Sequence, residues 1–290
     1  MAKRFYYGGQ AVIDGVMMRG RKAVVTAVRR PGGGLAFDVQ PLSPIYSGWM
    51  RRTPLLRGII VLIEAMYLGI KSLLYSANVS LEEEEEQISG WMVWVIVIFS
   101  VALAVVLFSL VPLYLTDLFL DPSLPFYLVE GVLRVCIFIL YIGLVSFVPS
   151  IRQTFAYHGA EHKAVNAYED GAPLEVEAVR KYDTAHRRCG TSFLFVVLVI
   201  AILVFSIIGA LPWWQMLLSR VILIPVIAAL GYEAIYFSAN HTGNAIVRTL
   251  STPGLWLQSL TTRQPDDGQL EVALSALSKA IEADQLEEAD

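Results

Sequence analysis

The sequence predicts an α-helical integral membrane protein with four transmembrane helices, one amphipathic or re-entrant helix and a small β-rich cytoplasmic module at the N terminus. Of its 290 residues, 56% are hydrophobic and 17% are charged, and the mean hydropathy is +0.57. Soluble domains carry about a quarter charged residues. The apolar residues form long runs, and a run of roughly 20 crosses a bilayer. These observations predict a multi-pass membrane protein.

Charge and cysteine content exclude several other classes. The chain has 22 basic and 26 acidic residues, a formal net charge of −4, so nucleic acid is not an expected partner. It has two cysteines, Cys136 in an apolar run and Cys189 in a polar loop, which provide no disulfide framework. Glycines and charged residues near the N terminus argue against a secretory signal peptide.

Residues 1–54 predict the β-rich module. Lys22–Arg30 is rich in valine and threonine, Pro31–Gly34 is a turn signal, and Leu35–Gln40 alternates apolar and polar residues. Two such segments around a glycine-rich turn are typical of a β-hairpin.

Residues 55–90 predict an amphipathic or re-entrant helix followed by an acidic linker. Leu55–Ala77 is apolar but carries Arg57, Glu64 and Lys71 at intervals of seven, a spacing that places them on one helical stripe. Five consecutive glutamates, Glu82–Glu86, predict a solvated linker beside the first span.

The four predicted spans form two hairpins, at 91–148 and 193–238. They are Trp91–Leu110, Phe126–Val148, Phe193–Leu211 and Met216–Phe237. With four crossings, the outer segments are Val111–Pro125 and Pro212–Gln215, and neither contains a Lys or Arg. The chain through Arg57 holds ten Lys or Arg residues, and the loop 149–192 holds six. The positive-inside rule then places both termini in the cytoplasm.

Residues 239–290 predict an interfacial segment containing His241, followed by an acidic amphipathic helix. After Pro265 there are eight acidic residues and one lysine. Four apolar residues recur at helical spacing: Leu270, Leu274, Leu277 and Ile281. This helix is expected either to pack on the protein's own cytoplasmic face or to bind a membrane-protein partner.

The most informative motif is the string His158-Gly159-Ala160-Glu161-His162, which has the inverted zinc-protease order H-x-x-E-H. On a helix, His158 and His162 share a face and can converge on one metal ion. Glu161 falls beside that site and is the candidate catalytic base for water. The pattern is short, so it gains weight only from its surroundings.

The same loop supplies further candidate ligands. His186 and Cys189 are three residues apart and offer an imidazole nitrogen and a thiolate. Together with His158 and His162 they would complete a divalent-metal site, most simply for zinc. Two alternatives stay open: a hydrogen-bonded polar cluster without metal, and Glu233 as a downstream ligand. Ion pairing within the spans, which also contain Arg134, Arg220 and Glu130, competes with metal binding by Glu233 and is the favoured role for it.

Several strings together resemble the YqhQ-like family, bacterial membrane proteins of unknown function described as predicted metal-dependent enzymes. The strings are Gly8–Val12, Gly15–Gly20, Tyr157–Lys163, Arg188–Phe193, Pro253–Gln258, Gln264–Asp267 and Glu271–Ala273. The resemblance covers nearly the whole chain. It implies a bacterial cytoplasmic-membrane protein with metal at His158 and His162, and brings no established substrate. The family usually has glutamate at position 14, where Asp14 has a shorter reach.

Two functions from different classes follow from these residues. The first is a metal-dependent hydrolase at the cytoplasmic face of the membrane, acting on a peptide, a lipid or a lipid-linked substrate. The second is a non-catalytic membrane scaffold or assembly factor, whose metal or polar cluster ties the cytoplasmic loop together. A transporter using the intramembrane charges is a weaker alternative, because no inverted repeat is visible.

Overall fold

The computed structural model describes residues 5–43, 49–81, 90–209, 211–241 and 243–286; the acidic linker Glu82–Glu86 lies outside them. The strands are β1 Gly8–Val12, β2 Gly15–Arg19, β3 Ala23–Arg29 and β4 Leu35–Pro41. The helices are α1 Leu56–Ser80, α2 Gly90–Val105, α3 Val111–Asp117, α4 Leu124–Val145, α5 Pro149–Asp170, α6 Val176–Val179, α7 Gly190–Ile208, α8 Trp213–Ile222, α9 Ile224–Asn240, α10 Ala245–Thr261 and α11 Asp267–Leu286. A 3₁₀ turn covers Trp49–Arg52, and a π turn covers Val106–Leu110.

The four strands form one antiparallel sheet in the order β1-β2-β3-β4. The predicted hairpin is confirmed as β3 and β4, with Arg29 paired to Leu35. Gly33 and Gly34 have positive φ angles in the intervening turn, a conformation that glycine adopts without steric cost. Strand β3 is almost entirely buried, because helices cover both faces of the sheet.

Distant parts of the chain build one core on the first face of the sheet. Helix α5, in the predicted loop 149–192, packs there beside α11 from the tail. Leu270, Leu274 and Leu277 are buried in this core, which confirms an amphipathic tail helix packed on the protein's own surface. Near its end, the Asp284 carboxylate accepts hydrogen bonds from the Tyr7 hydroxyl (2.9 Å) and from two backbone amides.

Helix α1 covers the second face of the sheet. Its C-terminal half packs through Leu68 and Val79, and the Thr26 hydroxyl donates to Ser72 Oγ at 2.9 Å. The opposite side of the helix exposes Ile63 and Tyr67. Although α1 is long and apolar enough to cross a membrane, its C-terminal half lies on the sheet. Its N-terminal half packs on α9, where Gly58 lies against Tyr232 and Ala229. The buried and exposed sides of α1 agree with the amphipathic helix that the sequence predicts.

The remaining apolar helices correspond to the predicted spans. Besides α1, three described helices are long and apolar enough to cross a bilayer: 90–117 (α2, the π turn and α3), α4 and α7. The first extends to Asp117, seven residues beyond its predicted end. The fourth predicted span is bent by 48° between α8 and α9. The bend lies at Pro225, which cannot donate the backbone hydrogen bond that would continue a helix.

Three of the charged residues in the spans are paired with one another. Glu130 is buried and accepts from Arg220 Nε at 2.9 Å and from Arg134 at 2.6 Å. Arg134 also donates to the Phe108 carbonyl in the π turn. Glu233 instead binds Arg57 and the Leu55 amide, so Arg134 and Arg220 do not compete for it.

Candidate metal centre

Helix α5 carries the H-x-x-E-H motif at its centre. The helix begins at Pro149 and ends at Asp170, with Gly171 in the left-handed conformation that commonly terminates helices. The motif is therefore more than one turn from either end, on a rigid segment. The rings of His158 and His162 lie on the same face, with centroids 4.3 Å apart.

Backbone carbonyl groups orient both imidazoles. His158 Nδ1 lies 2.9 Å from the Thr261 carbonyl oxygen, and His162 Nδ1 contacts that of Thr184. A carbonyl oxygen can only accept, so each Nδ1 carries a proton and Nε2 is the nitrogen left to bind a metal ion. Metal-binding histidines are oriented in this way, by a hydrogen bond from the ring nitrogen that does not bind the metal. No sequence signal identifies Thr184 or Thr261 as partners.

Cys189 completes a three-residue group. Its Sγ lies 3.3 Å from His158 Nε2 and accepts the Thr191 amide hydrogen at the start of α7. One ligand atom each from His158, His162 and Cys189 lie within 4.8 Å of one another. Tetrahedral zinc places nitrogen and sulfur ligands about 3.5 Å apart, so this group could hold a metal ion with small adjustments.

Glu161 and His186 lie beside this group. Glu161 is buried, and its Oε2 is 3.5 Å from His162 Nε2. His186 is held through its backbone by Gln258 and has its Nε2 3.6 Å from Glu169. Burial lowers the pKa of the His186 imidazole, which favours the neutral ring. His186 thus neighbours the three close ligands without joining their compact arrangement.

The other residues singled out in the sequence lie elsewhere. Glu233 is engaged by Arg57 on α1. Asp14 occupies the turn between β1 and β2, where it accepts hydrogen bonds from Ser80 and Gln153. The His241 ring stacks on Phe237 and is exposed at the end of α9. None of these three residues lines the cavity that lies beside His158, His162 and Cys189.

A cavity of about 340 Å³ opens in front of the metal group. His158, Glu161, His162, His186 and Cys189 line one side of it. The other charged residues that line the cavity are Arg19, Arg51, Glu64 and Arg188. The sequence did not identify them as site residues. Glu64 was conspicuous as a carboxylate in an apolar stretch. No local sequence pattern indicates that Glu64 lies near the histidines, which are almost one hundred residues away in the chain.

Gly159→Ala is expected to weaken metal binding by about 10-fold or more, because changes to the groups that orient metal ligands cost about 10–100-fold in affinity. A Cβ at Gly159 would lie 2.1 Å from the Arg263 carbonyl oxygen and 3.2 Å from the Thr184 side chain. Those segments carry the carbonyl groups that orient the two histidines. Zinc titration against a competing chelator measures the effect.

Gly143→Ala is the matched control, because a Cβ at this helical glycine of α4 meets no atom within 4 Å. It should leave zinc affinity unchanged. Equal affinities for the Gly159 variant and the wild type would show that the backbone carbonyls do not position the ligands.

The chain matches a family model described as "Protein of unknown function (DUF1385)" over residues 53–283. It is also similar to the "Uncharacterized protein YqhQ" of Bacillus subtilis (strain 168). The two are 34% identical over 300 residues, covering 97% of this chain and 94% of the relative. No solved structure matches it significantly. Both matches include the two segments that supply His158, His162 and Cys189.

Proposed function

Because this chain belongs to the DUF1385 family, whose function is unknown, we propose its activity from the site: a metal-dependent hydrolase at the cytoplasmic surface of the bacterial inner membrane. His158, His162 and Cys189 would hold one divalent ion, zinc by ligand chemistry. The observation that carries this proposal is that the three ligand residues line a cavity large enough for a small substrate.

The number of ligands favours a catalytic over a purely structural ion. Structural zinc sites are closed by four protein ligands, whereas catalytic sites have three and leave one position for water or substrate. Here three ligand atoms cluster, and the cavity provides the space for a fourth, external ligand. A bound ion would supply Lewis-acid polarisation of the scissile group and acidification of water.

Glu161 is the residue proposed to move the proton. It lines the cavity, and Gly9 packs against its Cγ, so the carboxylate is confined near His162. In this position it would accept the proton of the attacking water and return it to the leaving group. His158 and His162 would bind the ion through Nε2, since Thr261 and Thr184 accept their Nδ1 protons.

The basic segments of the chain support the orientation in this proposal. The module that contains the site is built from the N-terminal strands, α5 and α11, and the segments predicted as cytoplasmic hold the excess of Lys and Arg. The substrate would therefore come from the cytoplasm or the inner leaflet. The bilayer is the expected partner, and nucleic acid is not.

Glu161→Gln is expected to retain the metal and lower the hydrolytic rate by about 10²–10⁴-fold, the usual range for losing a general base. Purified zinc-loaded protein is incubated with a bacterial extract of peptides, lipids and lipid-linked metabolites. Mass spectrometry then detects products that differ from their precursors by the addition of water. Wild type should generate a product that the variant does not.

Glu177→Gln is the matched control, since this exposed glutamate pairs with Arg180 away from the cavity. It should match wild type. If wild-type protein with bound zinc generates no hydrolysis product, or if Glu161→Gln generates the same product at the same rate, the hydrolase proposal is wrong.

One observation favours the second candidate, a scaffold or assembly factor with a structural metal. The ligand group and its carbonyl partners connect α5, α7, α10 and the loop before α7. A metal ion there would tie the module to the membrane helices. Membrane-protein partners would bind the cytoplasmic face, including the exposed side of the acidic tail helix. Its apolar side is already covered.

A further inference from the structure

We infer that the cavity at the metal group binds an oxyanion, and that the substrate carries a phosphate group recognised by Arg19, Arg51 and Arg188. This inference rests on the proposed function, because it names the class of substrate that the same site would take. The binding itself depends on the arginines and can be measured without a metal ion.

The first part of the argument is an arginine pair that shares one carboxylate. Arg19 donates through Nε and through a terminal nitrogen to Glu64 Oε1, at 3.1 and 2.9 Å. Arg51 donates to Glu64 Oε2 at 2.6 Å. Glu64 is 3% exposed, whereas the side chains of Arg19 and Arg51 are 24% and 28% exposed, so two partly exposed guanidinium groups share one buried carboxylate. Burial, opposed by Glu64 and Asp284, lowers the pKa of the Arg19 guanidinium.

The second part is a third guanidinium on the cavity wall. Arg188 precedes the metal-binding Cys189, lies over the Tyr6 ring at 4.1 Å and pairs with Glu169. Both Tyr6 and Arg188 line the cavity, whereas Glu169 is not among its lining residues. The cavity thus has guanidinium groups on the wall at the ligands and on the wall at α1.

The cavity wall carries three arginines and the carboxylates of Glu64 and Glu161, and Glu169 pairs with Arg188 from outside the wall. A metal ion at the ligands would add positive charge. Arginine guanidinium groups bind phosphate and carboxylate through paired N–H donors, and phosphate, with more acceptor oxygens, can engage several at once. A phosphate near the arginines would lie in the same cavity as Glu161.

The wall formed by α1 indicates where such a phosphate comes from. Val61 and Leu68 face the cavity, while Ile63, Met66 and Tyr67 of the same helix are exposed. An amphipathic helix with an exposed apolar side is suited to the membrane interface, where phospholipid headgroups lie. A lipid phosphate and a soluble phosphate ester share the chemistry recognised here, and the experiment separates them.

The test is isothermal titration of inorganic phosphate into metal-free protein in a zwitterionic detergent. Arg51→Gln and Arg188→Gln should each weaken binding by about tenfold or more, because a charged hydrogen-bond donor is lost. Glu64→Gln should tighten binding several-fold, because it removes the carboxylate that competes for both arginines. Arg180→Gln, an exposed arginine paired with Asp267, should change nothing.

The opposite signs distinguish recognition from a merely structural role, since structural damage would weaken binding in every variant. If Glu64→Gln does not elute like wild type on size exclusion, the phosphate affinities of Arg51→Gln and Arg188→Gln decide the outcome. Absence of phosphate binding to wild type, or wild-type affinity in both arginine variants, would overturn the inference.

Short-chain phosphatidic acid and glycerol 3-phosphate then separate the two sources. Tighter binding of the acylated ligand by tenfold or more assigns the site to lipid, and equal affinities assign it to a soluble phosphate ester. Both outcomes support an oxyanion site. Because no metal is present, loss of phosphate binding leaves the zinc and Glu161 experiments intact, and failure of those experiments leaves the phosphate result standing.

Discussion

His162→Ala is expected to reduce the zinc content of the purified protein from about one ion per chain to nearly none. Removing one of three clustered ligands leaves His158 and Cys189, which cannot hold the ion against dilution. Zinc affinity should fall by more than about 100-fold, because losing a ligand costs more than losing a group that only orients one, which costs up to about 100-fold. Metal content is measured by mass spectrometry on protein purified in detergent without chelator, then on protein supplied with zinc.

Three companion variants sharpen this measurement. Cys189→Ser should behave like His162→Ala, whereas His241→Ala, an exposed histidine stacked on Phe237, should retain the metal. His186→Ala separates the two proposed functions: retention of metal supports an open three-ligand site, and loss of metal supports a closed structural site. A wild-type protein that binds no zinc after its addition would contradict a metal centre altogether.

Glu130→Gln is expected to destabilise the membrane helices by about 3 kcal/mol or more, the range for removing one partner of a buried ion pair. Glu130 is 1% exposed and is the shared counter-ion of Arg134 and Arg220, which are also buried. Without the carboxylate, two guanidinium groups remain in an apolar environment with one neutral partner. The measurement is unfolding in mixed dodecyl maltoside and dodecyl sulfate micelles.

Glu233→Gln makes the same chemical change at a less buried ion pair. The Glu233 side chain is 22% exposed and pairs with Arg57, so a loss of about 1 kcal/mol is expected. Equal destabilisation by the two variants would show that burial of the Glu130 cluster contributes nothing to stability. Unchanged unfolding of Glu130→Gln would contradict its assignment as the counter-ion of both arginines.

Local sequence patterns predicted the parts of the fold that depend on neighbouring residues. Valine-rich segments around Pro31–Gly34 gave a correct hairpin, and the spacing of Leu270, Leu274 and Leu277 gave a correct amphipathic helix. The long apolar runs corresponded to helices of sufficient length to cross a membrane. The bend within the last span was missed, because hydropathy does not register the lost hydrogen bond at Pro225.

The sequence predicted the candidate ligands of the site but not the residues that surround them. Spacing of four residues placed His158 and His162 on one helical face, and the polar string before α7 identified Cys189. The carbonyl groups of Thr184 and Thr261 carry no residue-type signal, since every residue has one. The convergence of Arg19, Arg51 and Glu64 on the cavity depends on how α1 covers the sheet, a tertiary arrangement that periodicity does not contain.

The core shared by the N-terminal strands, α5 and α11 has a consequence for biosynthesis. Ribosomes deliver these three parts in sequence, with both membrane hairpins synthesised between the first strand and the last helix. Val16, Tyr157 and Leu277 are buried in this one core, so the core cannot be complete before α11 has left the exit tunnel. A nascent chain released before α11 would lack the helix that covers this sheet face and would expose apolar surface to chaperones and proteases.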